Sequence, residues 1–174
     1  MFEPSRLIFL PALAAISVPA HAVVYLSVDE AQKLMFGAAA LKPAPLTLTP
    51  AQIAAIEKAS GVAVAAPEVR AWRAPDGWFL LDAVIGKHDF ITYAVALSLD
   101  GRVRQVEILE YREAYGGEVR NPRWRAQFKD KQPGDAVKLG ADIQGISGAT
   151  LSCSHVTDGI RRLLSTYAVA LKSA

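Results

Sequence analysis

The stretch Phe90-Ile91-Thr92-Tyr93-Ala94-Val95-Ala96-Leu97-Ser98-Leu99-Asp100-Gly101-Arg102-Val103-Arg104-Gln105-Val106-Glu107-Ile108-Leu109-Glu110-Tyr111 decides the fold. Ile91, Tyr93, Val95 and Leu97 alternate with Phe90, Thr92, Ala94 and Ala96, so both faces of the first half are largely apolar, as expected of a central strand. Asp100 and Gly101 then turn the chain into Val103 to Tyr111, whose Val106 and Ile108 face one way, and the pair reads as a β-hairpin. Upstream, Val69 to Arg73 and Trp78 to Ile85 flank Pro75, Asp76 and Gly77 and read as a second hairpin. Four antiparallel strands are therefore expected.

Helical spacing takes over on either side. Ser27 with Glu30 makes a capping box for a helix to about Phe36, and a Pro- and Ala-rich linker follows. Thr49 suits an N-cap, Pro50 a first helical position and Gly61 a stop, so a second helix spans roughly Pro50 to Ser60. Asn121 and Pro122 start a short helix through Phe128, and Val137 to Leu139 reads as a small strand. Near the end, Val156, Ile160, Leu163, Leu164, Tyr167 and Leu171 recur at helical spacing, with Thr157, Asp158, Arg161, Arg162 and Ser165 on the opposite face. The expected fold class is α+β: an antiparallel sheet built from hairpins, packed with helices that include this C-terminal one.

Ahead of that helix stands Ser147-Gly148-Ala149-Thr150. The first turn of a helix exposes unpaired N–H groups and the positive end of the macrodipole, which favour a phosphate. Ser147 and Ser152 add hydroxyls, Gly148 lets the backbone bend or approach a bulky ligand, and Ala149 adds little steric load. A phosphate ester on the Thr150 hydroxyl suits such a site. The same residues also read as an ordinary loop in which Ser147 caps the helix.

The longer run Gly145-Ile146-Ser147-Gly148-Ala149-Thr150-Leu151-Ser152 closely resembles the flavinylation motif of the FMN-binding domain family, which includes the covalent-FMN subunits of sodium-translocating NADH:quinone reductase and of Rnf complexes. Glu113, Gly116 and Gly117, with Trp124 and Phe128 behind them, resemble a second family segment, so the similarity runs from about Trp78 to Tyr167. The family usually has Asp six residues before the acceptor, where this chain has Gln144 with its nearest carboxylate at Asp142, and Ala114 stands where a Thr commonly follows the motif Glu. The resemblance implies FMN joined through its phosphate to Thr150 by an FAD:protein FMN transferase. Ser147, Gly148, Ala149, Ser152, Glu113, Tyr115 and Trp124 are then the further cofactor-binding candidates. No residue is expected to act as a catalyst, and no metal is expected.

Other readings are less pointed. Tyr111, Tyr115 and Trp124 read as ring-packing or simple packing residues. Glu113 reads either as a group positioning the ring or ribityl chain or as a salt-bridge partner of Arg112 or Arg120. His88 and Lys87 read as phosphate contacts or as a solvated turn, and His155 as an ordinary helix residue. Cys153, the single cysteine, can form no internal disulfide and reads as a small buried hydrophobe. Arg120, Arg123, Arg125, Lys129 and Lys131, interleaved with Trp124 and Phe128, read as a solvated face or as a dock for an acidic redox partner.

At the amino terminus, Leu7 to Val18 is apolar over about a dozen residues and Ala20-His21-Ala22 is a small-x-small site, which reads as a secretory signal peptide. It is short of the about 20 apolar residues of a comfortable span, although an uncleaved membrane anchor is a second possibility. The expected organisation is a signal peptide (1–22), an N-terminal helical segment and linker (23–66) and an FMN-binding domain (67–174). Export implies a periplasmic or extracytoplasmic site, and a net charge of +2 gives no case for nucleic acid.

The leading functional expectation is an extracytoplasmic electron carrier with FMN esterified to Thr150, shuttling electrons between a membrane-bound donor or acceptor and another redox protein. A small flavin-dependent reductase acting on a soluble acceptor and a non-flavinylated binding module are the alternatives.

Overall fold

A computed structural model describes residues 23–113 and 115–173. The expected signal peptide lies outside the described residues. In chain order the elements are β1 (Val23–Val24), α1 (Val28–Phe36), β2 (Lys42–Pro43), β3 (Leu46–Thr47), α2 (Pro50–Ser60), β4 (Glu68–Ala74), β5 (Gly77–Ile85), β6 (Phe90–Ser98), β7 (Val103–Tyr111), α3 (Pro122–Arg125) and α4 (Thr150–Thr166). A 3₁₀ turn, Gly117–Arg120, precedes α3, another, Ala126–Phe128, follows it, and a π-helical turn, Tyr167–Leu171, extends α4.

The sheet is antiparallel, with order β1-β7-β6-β5-β4-β2 and β3 also paired to β4. Both expected hairpins form, β4 to β5 through the Pro75-Asp76-Gly77 turn and β6 to β7 through Asp100-Gly101. Strand β6 is interior, and its two faces feed two cores. Ile91, Tyr93, Val95 and Leu97 face α4 together with Leu80, Val106, Val156 and Ile160, all buried. Ala94 and Ala96 face the other way, where Phe79, Ala31, Met35 and Phe36 of α1 close a smaller core. The fold is thus a sheet between helices, and α4 covers the face that carries the larger core.

The capping signals fold as expected. Ser27 and Glu30 exchange both capping-box bonds, Thr49 and Gln52 do the same for α2, and Gly61 ends α2 in the left-handed region at φ 67°.

One reading needs correction, and two features were not anticipated. Val137 to Leu139 is not a strand: the Asp142 carboxylate takes the N–H groups of Val137 and Lys138 (3.1 and 2.7 Å), and one bridge, Leu139 to Ile143, remains. The short strands β1, β2 and β3 have two residues each, too few to show a period in the sequence. The polar side of α4 is partly internal, since Thr157 and Ser165 are buried. Helix α2 packs beside α4, Arg161 donates to the Ser60 carbonyl (2.7 Å), and Arg162 donates to the Ala63 carbonyl (3.1 Å) and to Asp82 on β5 (2.8 Å). Two long charged side chains therefore fasten α2, α4 and the sheet together from the inside. Among the described residues no helix is long and apolar enough to cross a membrane.

Candidate functional site

Helix α4 begins at Thr150, and the approach to it is tied down before it starts. Trp124 is buried against Phe128, edge to face at 5.1 Å, and its indole N–H donates to the Gln144 carbonyl (2.8 Å). The Gln144 N–H in turn donates to the Gln127 side chain (2.8 Å). Trp124 therefore holds the entry to the motif from within the core, and Asp142 is occupied by Lys131 and by the two backbone N–H groups named above. Gly148 adopts φ 85° with open space where a Cβ would be, so the glycine serves the backbone turn rather than a close packing contact. The Ala149 N–H then donates to the Ile146 carbonyl (3.0 Å), which closes the turn into the helix.

Ser147 is exposed and is not the helix cap: Ala149 holds the N-cap position, with no side-chain hydrogen bond. The N–H groups of Thr150, Leu151 and Ser152 consequently have no intrahelical acceptor and lie at the positive end of a 17-residue helix. Thr150 is exposed while Ala149, Ser152 and Cys153 around it are buried. Thr150 thus stands at the surface on an uncapped helix end. Burial pushes the Cys153 thiol up, which suits a packing residue better than a nucleophile.

The last residue of β7 reaches this first turn from across the sheet. Tyr111 donates its hydroxyl proton to the Tyr115 carbonyl, and its oxygen lies 2.8 Å from Ser152 Oγ. With the phenol proton spent on Tyr115, Ser152 is the donor in that pair. The Ser152 proton is therefore committed inside the protein and is not offered to a ligand. Burial pushes the Tyr111 phenol up, so it stays a neutral donor. Gly116, at φ 94°, lies so close to both hydroxyls that a Cβ there would be 2.6 Å from each.

Beyond this contact the chain leaves a cleft of about 790 Å³, lined by Tyr25, Tyr115, Gly116, Gly117, Arg120 and Asn121 among others. Ligand sites commonly measure roughly 300–1,000 Å³. Tyr115 is 87% exposed at its rim. A second cavity of about 440 Å³, lined by Leu48, Asp82, Phe90 and Arg162, lies three turns along α4, about 18 Å from Thr150 at the helical rise.

Glu113 makes neither ion pair considered from the sequence, because Arg112 pairs with Glu110 and Arg120 stacks on Tyr25. Its carboxylate instead receives the backbone N–H groups of His88 and Asp89, the latter at 2.9 Å, and closes the β5–β6 turn. Burial alone would raise its pKa, but the N–H groups of Asp89, His88 and Lys87 outweigh it and hold the carboxyl below its ordinary value. Gly86 leaves the room, since a Cβ there would be 2.7 Å from Glu113 Oε1. Lys87 and His88 are exposed on that turn, and His155 Nδ1 is buried without a hydrogen-bond partner among the described residues. The basic segment is not one solvated face: Arg125 is paired with Glu107, both side chains 11% exposed, and Lys131 with Asp142. Tyr25 had no periodic or motif signal in the sequence, and only β1 brings it into the cleft.

A curved antiparallel sheet, a long helix whose uncapped end presents an exposed threonine, and a glycine-turn cleft beside that end thus meet in one place. Residues 86–165 match the family model of the FMN-binding domain. That match supports FMN binding by this part of the chain. No curated protein matches the chain.

Proposed function

We propose that the protein is an extracytoplasmic electron-transfer flavoprotein with FMN attached through a phosphoester to Thr150. The observation that carries this reading is the exposed Thr150 at the uncapped start of α4, inside the segment that matches the FMN-binding domain. The chain's residues fit the group. The free N–H groups at the helix end suit its phosphate, Gly148 supplies the turn, and the neighbouring cleft has room for a ring system.

Bound flavin supplies the redox chemistry, and the protein sets exposure, stacking and hydrogen bonding around it. Thr150 is an anchor, with Ser147, Gly148 and Ala149 shaping the approach to it. Ser152 and Glu113 act one step back, Ser152 by holding Tyr111 and the glycine turn, Glu113 by holding the β5–β6 turn. Tyr115 offers an aromatic side chain at the rim, and Trp124 secures the motif from the core. Covalent attachment fits an exported protein, because a noncovalent flavoprotein keeps its cofactor only while free ligand exceeds the dissociation constant. The partners in this reading are an FAD:protein FMN transferase and a membrane-bound redox protein. The apolar leader at residues 7–18 and its small-x-small site support export.

The test is the intact mass of protein exported from a host that coexpresses the transferase. A chain beginning at Val23 with one FMN residue mapped to the Thr150 peptide, lost in Thr150→Ala with the fold retained, is the expected result. An unmodified mass beside a transferase shown to be active, or an adduct that survives Thr150→Ala, overturns the assignment.

A further inference from the structure

We infer that Tyr25, which lies outside the matched domain, is a cofactor-contacting residue whose ring forms a fixed wall of the flavin cleft. This rests on Thr150 as the anchor. Strand β1 places it: Val23 pairs with Tyr111 and Val24 with Glu110, after which the Tyr25 N–H donates to the Leu109 carbonyl (2.8 Å). The Arg120 guanidinium lies 4.2 Å from the Tyr25 ring centroid, a cation–π contact that holds the ring from the side chain. The Tyr25 hydroxyl is 3.8 Å from where a Cβ on Gly117 would be. Tyr25 therefore borders the glycine turn that Tyr111 and Ser152 press against the first turn of α4.

Two tyrosines line this cleft, and they differ in kind. Tyr115 is almost wholly exposed, whereas Tyr25 is half-buried and held by backbone pairing and by Arg120. A pre-set aromatic ring costs little entropy when a planar ligand docks on it. The isoalloxazine ring is planar and electron-poor, and the tyrosine ring is electron-rich, so offset stacking is favourable for the pair. The flexible ribityl chain lets a flavin fixed by its phosphate at Thr150 bring its ring into a cleft that begins beside Ser152. The N-terminal segment thus completes a site that the matched domain leaves open on one side.

A phenol in contact with a flavin quenches its fluorescence, so variants shown by circular dichroism to keep the wild-type fold report the contact itself. Flavinylated wild type, Tyr25→Phe and Tyr25→Leu are compared for fluorescence per bound flavin and for the visible absorption bands. The expected result is quenching in the wild type, strong recovery in Tyr25→Leu and partial recovery in Tyr25→Phe, which keeps the ring over Arg120. Spectra and fluorescence of Tyr25→Leu that coincide with wild type overturn the inference, and if that variant does not fold, unchanged fluorescence in Tyr25→Phe does so. A second measurement uses riboflavin, which has no phosphate, titrated into Thr150→Ala protein with and without Tyr25→Leu. Loss of the stack weakens binding by about three- to tenfold, and equal affinities count against Tyr25. Failure of the anchor reading appears separately, as a wild type without adduct, and leaves the riboflavin comparison able to decide.

Discussion

The hydroxyls of Tyr111 and Ser152, 2.8 Å apart, join the end of the sheet to the first turn of the helix that begins at Thr150. Tyr111→Phe removes one hydrogen bond to Ser152 and one to the Tyr115 carbonyl, and a cost of about 1–2 kcal/mol is expected. Ser152→Ala removes the shared bond alone. In a double-mutant cycle by urea denaturation, the combined cost is expected to fall short of the sum of the single costs. Strict additivity would mean that the two hydroxyls do not act on each other.

Gly116 packs against that pair. Its φ of 94° is a conformation that L side chains rarely adopt, and an added Cβ would meet both hydroxyls at 2.6 Å. Gly116→Ala is expected to cost about 1–3 kcal/mol from the strained backbone, with steric displacement in addition. Gly148→Ala, with a similar φ of 85° but open space around it, is expected to cost less. Equal melting temperatures for the two variants would show that the contact with Ser152 and Tyr111 carries no weight.

Glu113 makes stability depend on acid pH. Its folded pKa lies below the ordinary 4.5, so its ionised form contributes in full above that value, and the contribution is lost as pH falls through the lowered folded value. In Glu113→Gln this dependence is absent. Denaturation from neutral to acid pH is expected to show a wild-type advantage that is constant down to about 4.5 and shrinks below it. A gap between the two proteins that keeps its size in acid would rule out the turn as the source.

Arg162 and Asp82 form the ion pair between α4 and the sheet at 2.8 Å, with 14% and 23% of their side chains exposed. Tyr93, fully buried, donates to the same carboxylate (2.7 Å). Arg162→Met strands Asp82 without its cation and is expected to cost about 3 kcal/mol. Replacing both charges, with Asp82→Leu added, is expected to recover part of that loss, because the desolvation cost disappears with the pair while the Tyr93 hydroxyl is left without its acceptor. Guanidinium denaturation of the single and double variants measures this, and a double variant less stable than Arg162→Met would contradict it.

The sequence by itself determined what depends on near neighbours. The apolar alternation of Phe90 to Leu97 and the Asp100-Gly101 turn sufficed for the central hairpin. Ser27 with Glu30 and Thr49 with Gln52 were enough for two helix starts, and the spacing from Val156 to Leu171 for the helix that Thr150 heads. Periodicity and capping act over a few residues, so a linear reading captures them. Tertiary structure alone decided the partners met across the fold. Ser152 turns its hydroxyl to Tyr111, 41 residues away, and Glu113 serves the turn at His88 and Asp89 rather than a neighbouring arginine. The hydrophilic side of α4 is partly internal because Asp82 and the end of α2 receive its arginines. Tyr25 enters the cleft only because β1 pairs with the far end of β7. A hydroxyl, carboxylate or aromatic ring has the same letter whether it meets solvent, a ligand or a distant strand, and only chain topology and the need to satisfy buried polar groups choose among them.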